Sequence, residues 1–337
     1  MPSDAVPSDA VPDDPLPRDS RLLLLDGSQV ETLLHPDDVT AAVREAFRLH
    51  SEGQGRIFPV VREPLDAGIF GIKSGIVPAQ GLLGFKAAGF WPGNRRTGGE
   101  PHQATILLID PATGRPLCLI DGNAVTTMRT GAAGALGLLL LARPDSTRLC
   151  IFGTGVQARI QLRFALDRMP SLRQVRYVTA RGEPSPAFEA AFASRCEIAH
   201  ASDRNRTVAE SDVVITTTPG GGALFDRDAV QPGTHLTCVG ADTKGKRELP
   251  EGLLERACLY VDDRAQSRQI GEGQWAPDHP AIELGDLLTG RARVTRAASD
   301  ITVFDMTGLA LQDLTVARML LDRAAATAIG TRIPWPW

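Results

Sequence analysis

The chain has 337 residues, 43% hydrophobic and 23% charged, with a formal net charge of −4. This is the profile of an ordinary soluble globular protein long enough for two cores. Its Lys and Arg residues are dispersed rather than striped, which excludes a basic footprint for nucleic acid or an anionic membrane. Cys118, Cys150, Cys196, Cys238 and Cys258 form no C-x-x-C pair, so buried, reduced thiols in a cytoplasmic protein are expected and no metal site is.

Residues 1–20 repeat PSDAV and are rich in proline and acid. Such a segment buries too little apolar surface to offset ordering, so a disordered tail is expected, and it lacks the basic and apolar regions of a signal peptide. A strand over 21–25 and a helix over 37–51 follow, the helix with Pro36 at its entrance and Gly53 beyond its end. Short glycine-broken strands run from Ile57 to Phe90, and 104–110 with 116–120 form a hairpin. Residues 21–129 therefore read as a mostly β domain. Thr130 is expected to cap a helix ending at Arg143, before Pro144.

From there strands and helices alternate: strands over 149–152, 175–178, 212–217, 234–239, 257–262 and 301–304, with helices over 156–169 and 185–194. Alternation of this kind predicts an α/β fold with a doubly wound parallel sheet over 130–304. A final amphipathic helix over 309–328 is expected to pack back on the first domain. Residues 305–337 would then complete that domain and leave a cleft between the two. No stretch reaches about 18 uninterrupted apolar residues, so no membrane span is expected.

The sharpest motif is RLCIFGTGVQAR, at residues 148–159. A short apolar strand stops at Gly153-Thr154-Gly155 and a helix follows, which is the setting of a dinucleotide pyrophosphate loop. Gly153 permits the bend, Gly155 lets the backbone approach phosphate, and Ala158 takes the third small position. The helix N-terminus near Val156 and Gln157 offers free N–H groups to an anion. Thr130, Thr179, Arg181 and Thr218 are expected beside this loop as further cofactor contacts. No acid follows the second strand to take the ribose 2′-hydroxyl, and Arg181 is either a solvated turn residue or a partner for a 2′-phosphate, so NAD(P) is expected with a leaning to NADP.

Five charged residues are candidates for the chemistry. Strand alternation puts Lys86 on one face with Gly84 and Ala88, so it has space in front of it; it is either a solvated edge lysine or a desolvated one facing a cleft. Arg129, ahead of the expected helix start, is either paired with an acid such as Asp121 or clamps a substrate carboxylate. Arg62 and Lys73 lie on the preceding strands, each either a plain surface charge or a further member of the same site. Asp242 follows the 234–239 strand at its carboxyl end and is either an Asx-turn residue or a proton relay.

Taken together, GFKAAGFWPGN, the PHQ at 101–103, TTMRTGAA, FGTGVQAR, GADTKGKREL and FDMTGLALQD resemble the ornithine cyclodeaminase and mu-crystallin family, from about Arg21 to the chain end. The resemblance implies a Rossmann domain, a substrate-binding and dimerisation domain built from both chain ends, and a homodimer. By position, Lys86 matches the family's active-site lysine, Asp242 its catalytic aspartate, and Arg62 and Arg129 its carboxylate-binding arginines. Two departures favour imine reductases or amino-acid dehydrogenases over cyclodeaminases. Lys73 stands where an acid would receive the distal amine of ornithine, and repels a second ammonium while attracting a second carboxylate. Met306 stands where cyclodeaminases commonly have serine. The expected ligand is a small imino or amino acid; a non-catalytic ligand binder is the alternative of another class.

Overall fold

In a computed structural model of the protein, residues 21–294 and 296–335 are described; the N-terminal tail lies outside them. The first part of the chain forms β1 (Arg21–Leu25), α1 (Gly27–Leu33), α2 (Pro36–Ser51), β2 (Arg56–Ile57), β3 (Val61–Leu65), β4 (Gly68–Val77), β5 (Leu82–Phe90), β6 (His102–Ile109), β7 (Pro116–Asp121) and α3 (Gly122–Leu141). The second part alternates β8 (Arg148–Phe152), α4 (Val156–Arg168), β9 (Gln174–Val178), α5 (Pro186–Phe192), β10 (Glu197–His200), α6 (Arg204–Ala209), β11 (Val213–Thr216), β12 (His235–Cys238), β13 (Ala257–Val261), α7 (Arg264–Ile270), β14 (Ala281–Glu283), α8 (Leu284–Leu288) and β15 (Ile301–Asp305). The chain closes with α9 (Ala310–Thr327) and β16 (Thr331–Pro334).

Two eight-stranded sheets result. The first runs β16-β1-β7-β6-β5-β4-β2, with β3 also paired to β4, and is antiparallel except for the β1–β7 pair. The second is parallel throughout, in the order β10-β9-β8-β11-β12-β15-β13-β14. Strand order reverses beside β8, at the switch point where open α/β sheets bind ligands. The strands of this sheet are buried on both faces, as helices above and below require; Leu149, Cys150, Ile151 and Phe152 of β8 are all inaccessible. The two chain ends meet in the first sheet, because β16 pairs with β1.

The structure corrects one boundary that the sequence reading relied on. Thr130 does not cap a helix: α3 begins at Gly122, and the Asp121 side chain accepts from Asn123 N at 3.0 Å as its cap. Arg129 therefore sits two turns inside the helix, so the argument from an unfavourable helix start does not apply to it. The elements β10, α6, α7, α8 and β16 also carry too few residues for a periodic signal, and the sequence reading passed over them.

Helix α3 is long and apolar enough to cross a membrane, yet most of it is buried inside the protein. Its small residues let neighbours approach closely. A Cβ on Gly134 would meet Gln161 at 2.0 Å, and one on Gly137 would meet Phe304 at 2.3 Å. Helix α9 is seated on the first sheet by the same device. Gly75 and Gly84 face each other across β4 and β5, and Leu311 and Leu314 of α9 occupy the space their side chains would take.

That seating gives a direct test. A Cβ on Gly84 would lie 2.5 Å from the Leu107 carbonyl oxygen and 2.9 Å from Leu314 Cδ2, and the backbone contact cannot yield by a rotamer change. Gly84→Ala is expected to lower folding stability by about 1–3 kcal/mol, read as a reduced urea midpoint. An unchanged midpoint would contradict the packing described.

Candidate active site

The carboxyl ends of the parallel strands open toward the first sheet, and they carry the glycine loop. Gly153 has φ +107°, and Thr217 Oγ1 stands 2.7 Å from where its Cβ would be, so only glycine fits. Gly155 caps α4 with open space around its missing side chain, and Ala158 is fully buried. Val156 is more than half exposed, and Gln157 keeps a buried side-chain oxygen without a partner among the described residues. An N-terminal helix end behind two glycines fits a dinucleotide pyrophosphate.

The remaining predicted cofactor residues lie in three places. Thr179 follows β9 and donates to the Glu183 carbonyl at 2.8 Å, with Arg181 exposed beside it. Thr218 follows β11 and is held by a residue the sequence reading missed. Glu248 accepts from Thr218 N at 2.6 Å, Thr218 Oγ1 at 2.7 Å, Thr216 Oγ1 at 2.6 Å and Gly240 N at 2.8 Å, tying β11 to β12. Thr130 is buried within α3: its hydroxyl donates to the Thr126 carbonyl and its own carbonyl accepts from Gln161.

The charged candidates come together on the buried face of the first sheet. Lys73 on β4 and Lys86 on β5 are direct cross-strand partners, 7% and 4% exposed. Lys86 is thus an interior lysine on a central strand, not a solvated edge residue. Arg62 on β3 lies flat over Gly71, where a Cβ would come within 2.8 Å of its guanidinium. Its Nη2 reaches Asp242 Oδ2 of the loop after β12 at 3.2 Å. Asp242 also accepts from Lys246 Nζ at 2.6 Å. Arg129 projects from α3 to the same place.

Two further groups complete the site. Lys86 Nζ donates to Asp313 Oδ1 at 2.9 Å, and Arg129 Nε lies 3.2 Å from the same oxygen. Arg129 therefore pairs with Asp313 of α9 and not with Asp121. Lys73 Nζ donates to the carbonyls of Thr307 and Gly308. That turn is fixed from the parallel sheet: Asp262 accepts from Thr307 Oγ1 and Gly308 N, and Gln266 donates to both Thr307 Oγ1 and the Gly308 carbonyl. Gly308, at φ +80°, lies flush against the Arg129 guanidinium, 2.6 Å from where a Cβ would stand.

Asp313, Asp262 and Glu248 were not singled out from the sequence. One signal was present. Only four of the 36 basic residues are lysines, Lys73, Lys86, Lys244 and Lys246; three of them bear on this site through contacts already described, and Lys244 shares the loop with Asp242. In a chain that otherwise uses arginine, a primary amine marks a position where the guanidinium's permanent charge and fixed fork do not serve.

Crowding of like charges sets the protonation of the floor. Burial, with Arg62, Arg129 and Lys86 nearby, pushes Lys73 down to about 7. Burial also lowers Lys86, to about 8, against the pull of Asp313. Burial alone would raise Asp242, but Lys246, Arg62 and Lys73 outweigh it and hold the carboxyl well below its usual range. His102, on the same sheet, is kept neutral by burial and by Lys86, with Nδ1 3.1 Å from Asn123 Oδ1. The site thus combines titratable amines with permanently charged guanidiniums, able to receive an anion and exchange a proton with it.

A pH dependence follows with a definite sign. Lys73 and Lys86 titrate lower in the folded protein than in the unfolded chain, so in alkaline solution the unfolded state holds the extra protons. The lysines' share of the stability then rises with pH up to the unfolded lysine value. Buried thiols act in the opposite sense above about pH 8.5: burial pushes Cys118 up to about 12 and Cys150 and Cys238 higher, so the folded state keeps protons that the unfolded chain loses. The lysine share is therefore read as a difference. Between about pH 8.5 and 10 the urea midpoint of the Lys73→Met, Lys86→Met double variant is expected to fall more steeply than that of the unaltered protein; parallel curves would contradict the lowered lysines.

A profile of the ornithine cyclodeaminase/mu-crystallin family matches residues 21–328. The chain is 32% identical to alanine dehydrogenase of Archaeoglobus fulgidus over 321 residues, 92% of this chain and 98% of that protein. It is 31% identical to iminosuccinate reductase of Paracoccus denitrificans over 324 residues, 93% and 99% of the two. The solved structure of an archaeal alanine dehydrogenase dimer with bound NAD superposes with a TM-score of 0.87 at 30% identity, covering 94% of this chain and all of that one. The two-sheet architecture, the glycine loop and the match along the described chain agree: this protein belongs to the ornithine cyclodeaminase/mu-crystallin family.

Proposed function

We propose that the protein is an NAD(P)H-dependent reductase of a small α-imino acid, able to run in reverse as an amino-acid dehydrogenase. The observation that carries this reading is the buried cluster of Arg62, Lys73, Lys86 and Arg129, set at the end of a parallel sheet that bears a dinucleotide loop. Such a cluster calls for an anionic substrate beside a nicotinamide.

The dinucleotide, held by Gly153 to Ala158, supplies hydride when bound. The chain's own residues do the rest. Arg129 and Arg62 take the substrate α-carboxylate, which displaces Asp242 from Arg62 and orients the imine carbon. Lys86, as its ammonium, polarises the substrate from the sheet side. Asp242, released from Arg62 and still held by Lys246, relays the proton. The ammonium of Lys73, with two N–H groups given to carbonyls, keeps a third for a second carboxylate. Candidate substrates are therefore the imine of oxaloacetate first, then the imine of pyruvate and cyclic imines such as pyrroline-2-carboxylate.

Arg181, exposed after β9 with no acid in Thr179-Ala180-Arg181, supports NADPH as the preferred donor. The outer face of the first sheet supports a homodimer. Leu24, Leu107, Ile109, Leu119 and Ile333 line an apolar hollow of about 470 Å³ there, of the kind that marks an interaction surface, and the related alanine dehydrogenase is a dimer.

One assay tests the reaction. Ammonia with oxaloacetate or pyruvate, and preformed cyclic imines, are given with NADH or NADPH, and absorbance of the reduced nicotinamide is followed. Consumption is expected, faster with NADPH, and Arg181→Ala should remove that preference. Lys73→Met should lower the ratio of kcat/KM for the dicarboxylic over the monocarboxylic imine by roughly tenfold or more, as for loss of one desolvated charge contact. Ammonia release from ornithine without net nicotinamide change would instead establish a cyclodeaminase. For the dimer, sedimentation should give twice the chain mass, and Leu119→Lys should halve it; a monomeric parent protein refutes that assignment.

A further inference from the structure

Resting on the reading of Lys86 as the side chain that polarises substrate, we propose that Asp313 is a positioning residue. One of its carboxylate oxygens, shared by Lys86 and Arg129, fixes the ammonium and the guanidinium relative to each other and keeps Lys86 charged in the absence of substrate.

The geometry is specific. Asp313 Oδ1 receives Lys86 Nζ at 2.9 Å and lies 3.2 Å from Arg129 Nε, while Asp313 itself is 1% exposed. Its Oδ2 has no hydrogen-bond partner among the described residues. Two cations on one oxygen leave the group short of charge balance and the carboxylate short of hydrogen bonds. An ion pair kept for stability alone would not be built this way, since apolar residues of equal volume stabilise as well or better. The arrangement suits a site that must hold two cations at a set spacing and accept a further anion.

The helix places this oxygen with little freedom. Leu311 and Leu314 of α9 press onto Gly75 and Gly84, a cross-strand pair two residues along from Lys73 and Lys86. Gln312 accepts from Arg129 Nη1 at 3.1 Å, so the guanidinium is held at two points by consecutive residues of one helical turn. The other groups around Lys86 do not favour its charge. Lys73 from β4, Arg62 from β3 and Arg129 from α3 are cations, and His102 from β6 is neutral. Asp313 is the carboxylate that opposes them.

The small number of lysines makes this measurable without turnover. Lysine Nζ resonances in the NADPH-bound protein, labelled with ¹⁵N-lysine, give four signals, assigned by single Lys→Arg variants. In the unaltered protein Lys86 is expected to titrate near 8. In Asp313→Asn the midpoint should fall by at least one pH unit, and in Asp313→Glu it should return to within half a unit. The affinity for NADPH should stay within twofold in both. kcat/KM for the imine should fall at least 50-fold in Asp313→Asn, with the alkaline limb of its pH profile moving the same way as the Lys86 midpoint.

A folded Asp313→Asn protein whose Lys86 midpoint is unmoved overturns the proposal, as does one with an unmoved pH profile. If neither variant folds, the unaltered protein decides: a Lys86 midpoint below about pH 7, where burial among cations alone would put it, overturns the proposal, and one near 8 sustains it. If the midpoint shifts as expected but no imine is reduced by any of the three proteins, the positioning role stands and the reductase reading fails.

Discussion

Two lysines sit directly opposite each other on the buried face of a β-sheet, and the rest of the site exists to make that tolerable. Like charges across a strand pair repel, and taking each ammonium out of water costs several kcal/mol. The first sheet offers Lys73 and Lys86 no acid of its own. Relief comes from one short segment of the returning chain: Thr307 and Gly308 give carbonyl oxygens to Lys73, and Asp313 gives a carboxylate to Lys86. Neither lysine is fully compensated: burial among other cations holds both well below the usual lysine value. On the function proposed above, a ligand carboxylate is the missing countercharge.

The same segment links the two sheets. The turn that holds Lys73 is itself held by Asp262 and Gln266, at the end of β13 and in α7 of the parallel sheet. From the other direction, Arg62 of the first sheet reaches Asp242 after β12. The cation cluster and the parallel sheet are thus joined by shared hydrogen bonds and not by two bodies resting side by side.

Much of this was legible before any coordinates. The parallel sheet followed from alternation, because a strand buried on both faces writes itself as a continuous apolar run, as in 149–152. Lys86 was legible because two-residue periodicity puts it with Gly84, and the glycine loop because an apolar run stops at Gly153-Thr154-Gly155 with Ala158 following. The start of α3 was not legible: its first turns, GNAVTT, hold β-branched and polar residues, and only the Asp121 side chain and tertiary burial make them helical. Asp313 was hidden for a different reason. Its neighbours Leu311 and Leu314 supplied a strong amphipathic signal, and a carboxylate among them reads as the solvated face until the glycine pair beneath the helix is known. Pairings such as β16 with β1 join residues at opposite chain ends and leave no local trace.

The proposed reaction requires an α-carboxylate bound between Arg129, Arg62 and Lys86 with its α-carbon turned toward the nicotinamide. A crystal structure of the protein with oxidised dinucleotide and the amino acid that turnover identifies tests this most directly. The carboxylate is expected within hydrogen-bond distance of both guanidiniums, with Asp242 parted from Arg62 and the α-carbon against the C4 position of the nicotinamide ring. An amino acid bound with its carboxylate away from Arg129, or with Arg62 still paired to Asp242, would contradict the proposed reaction.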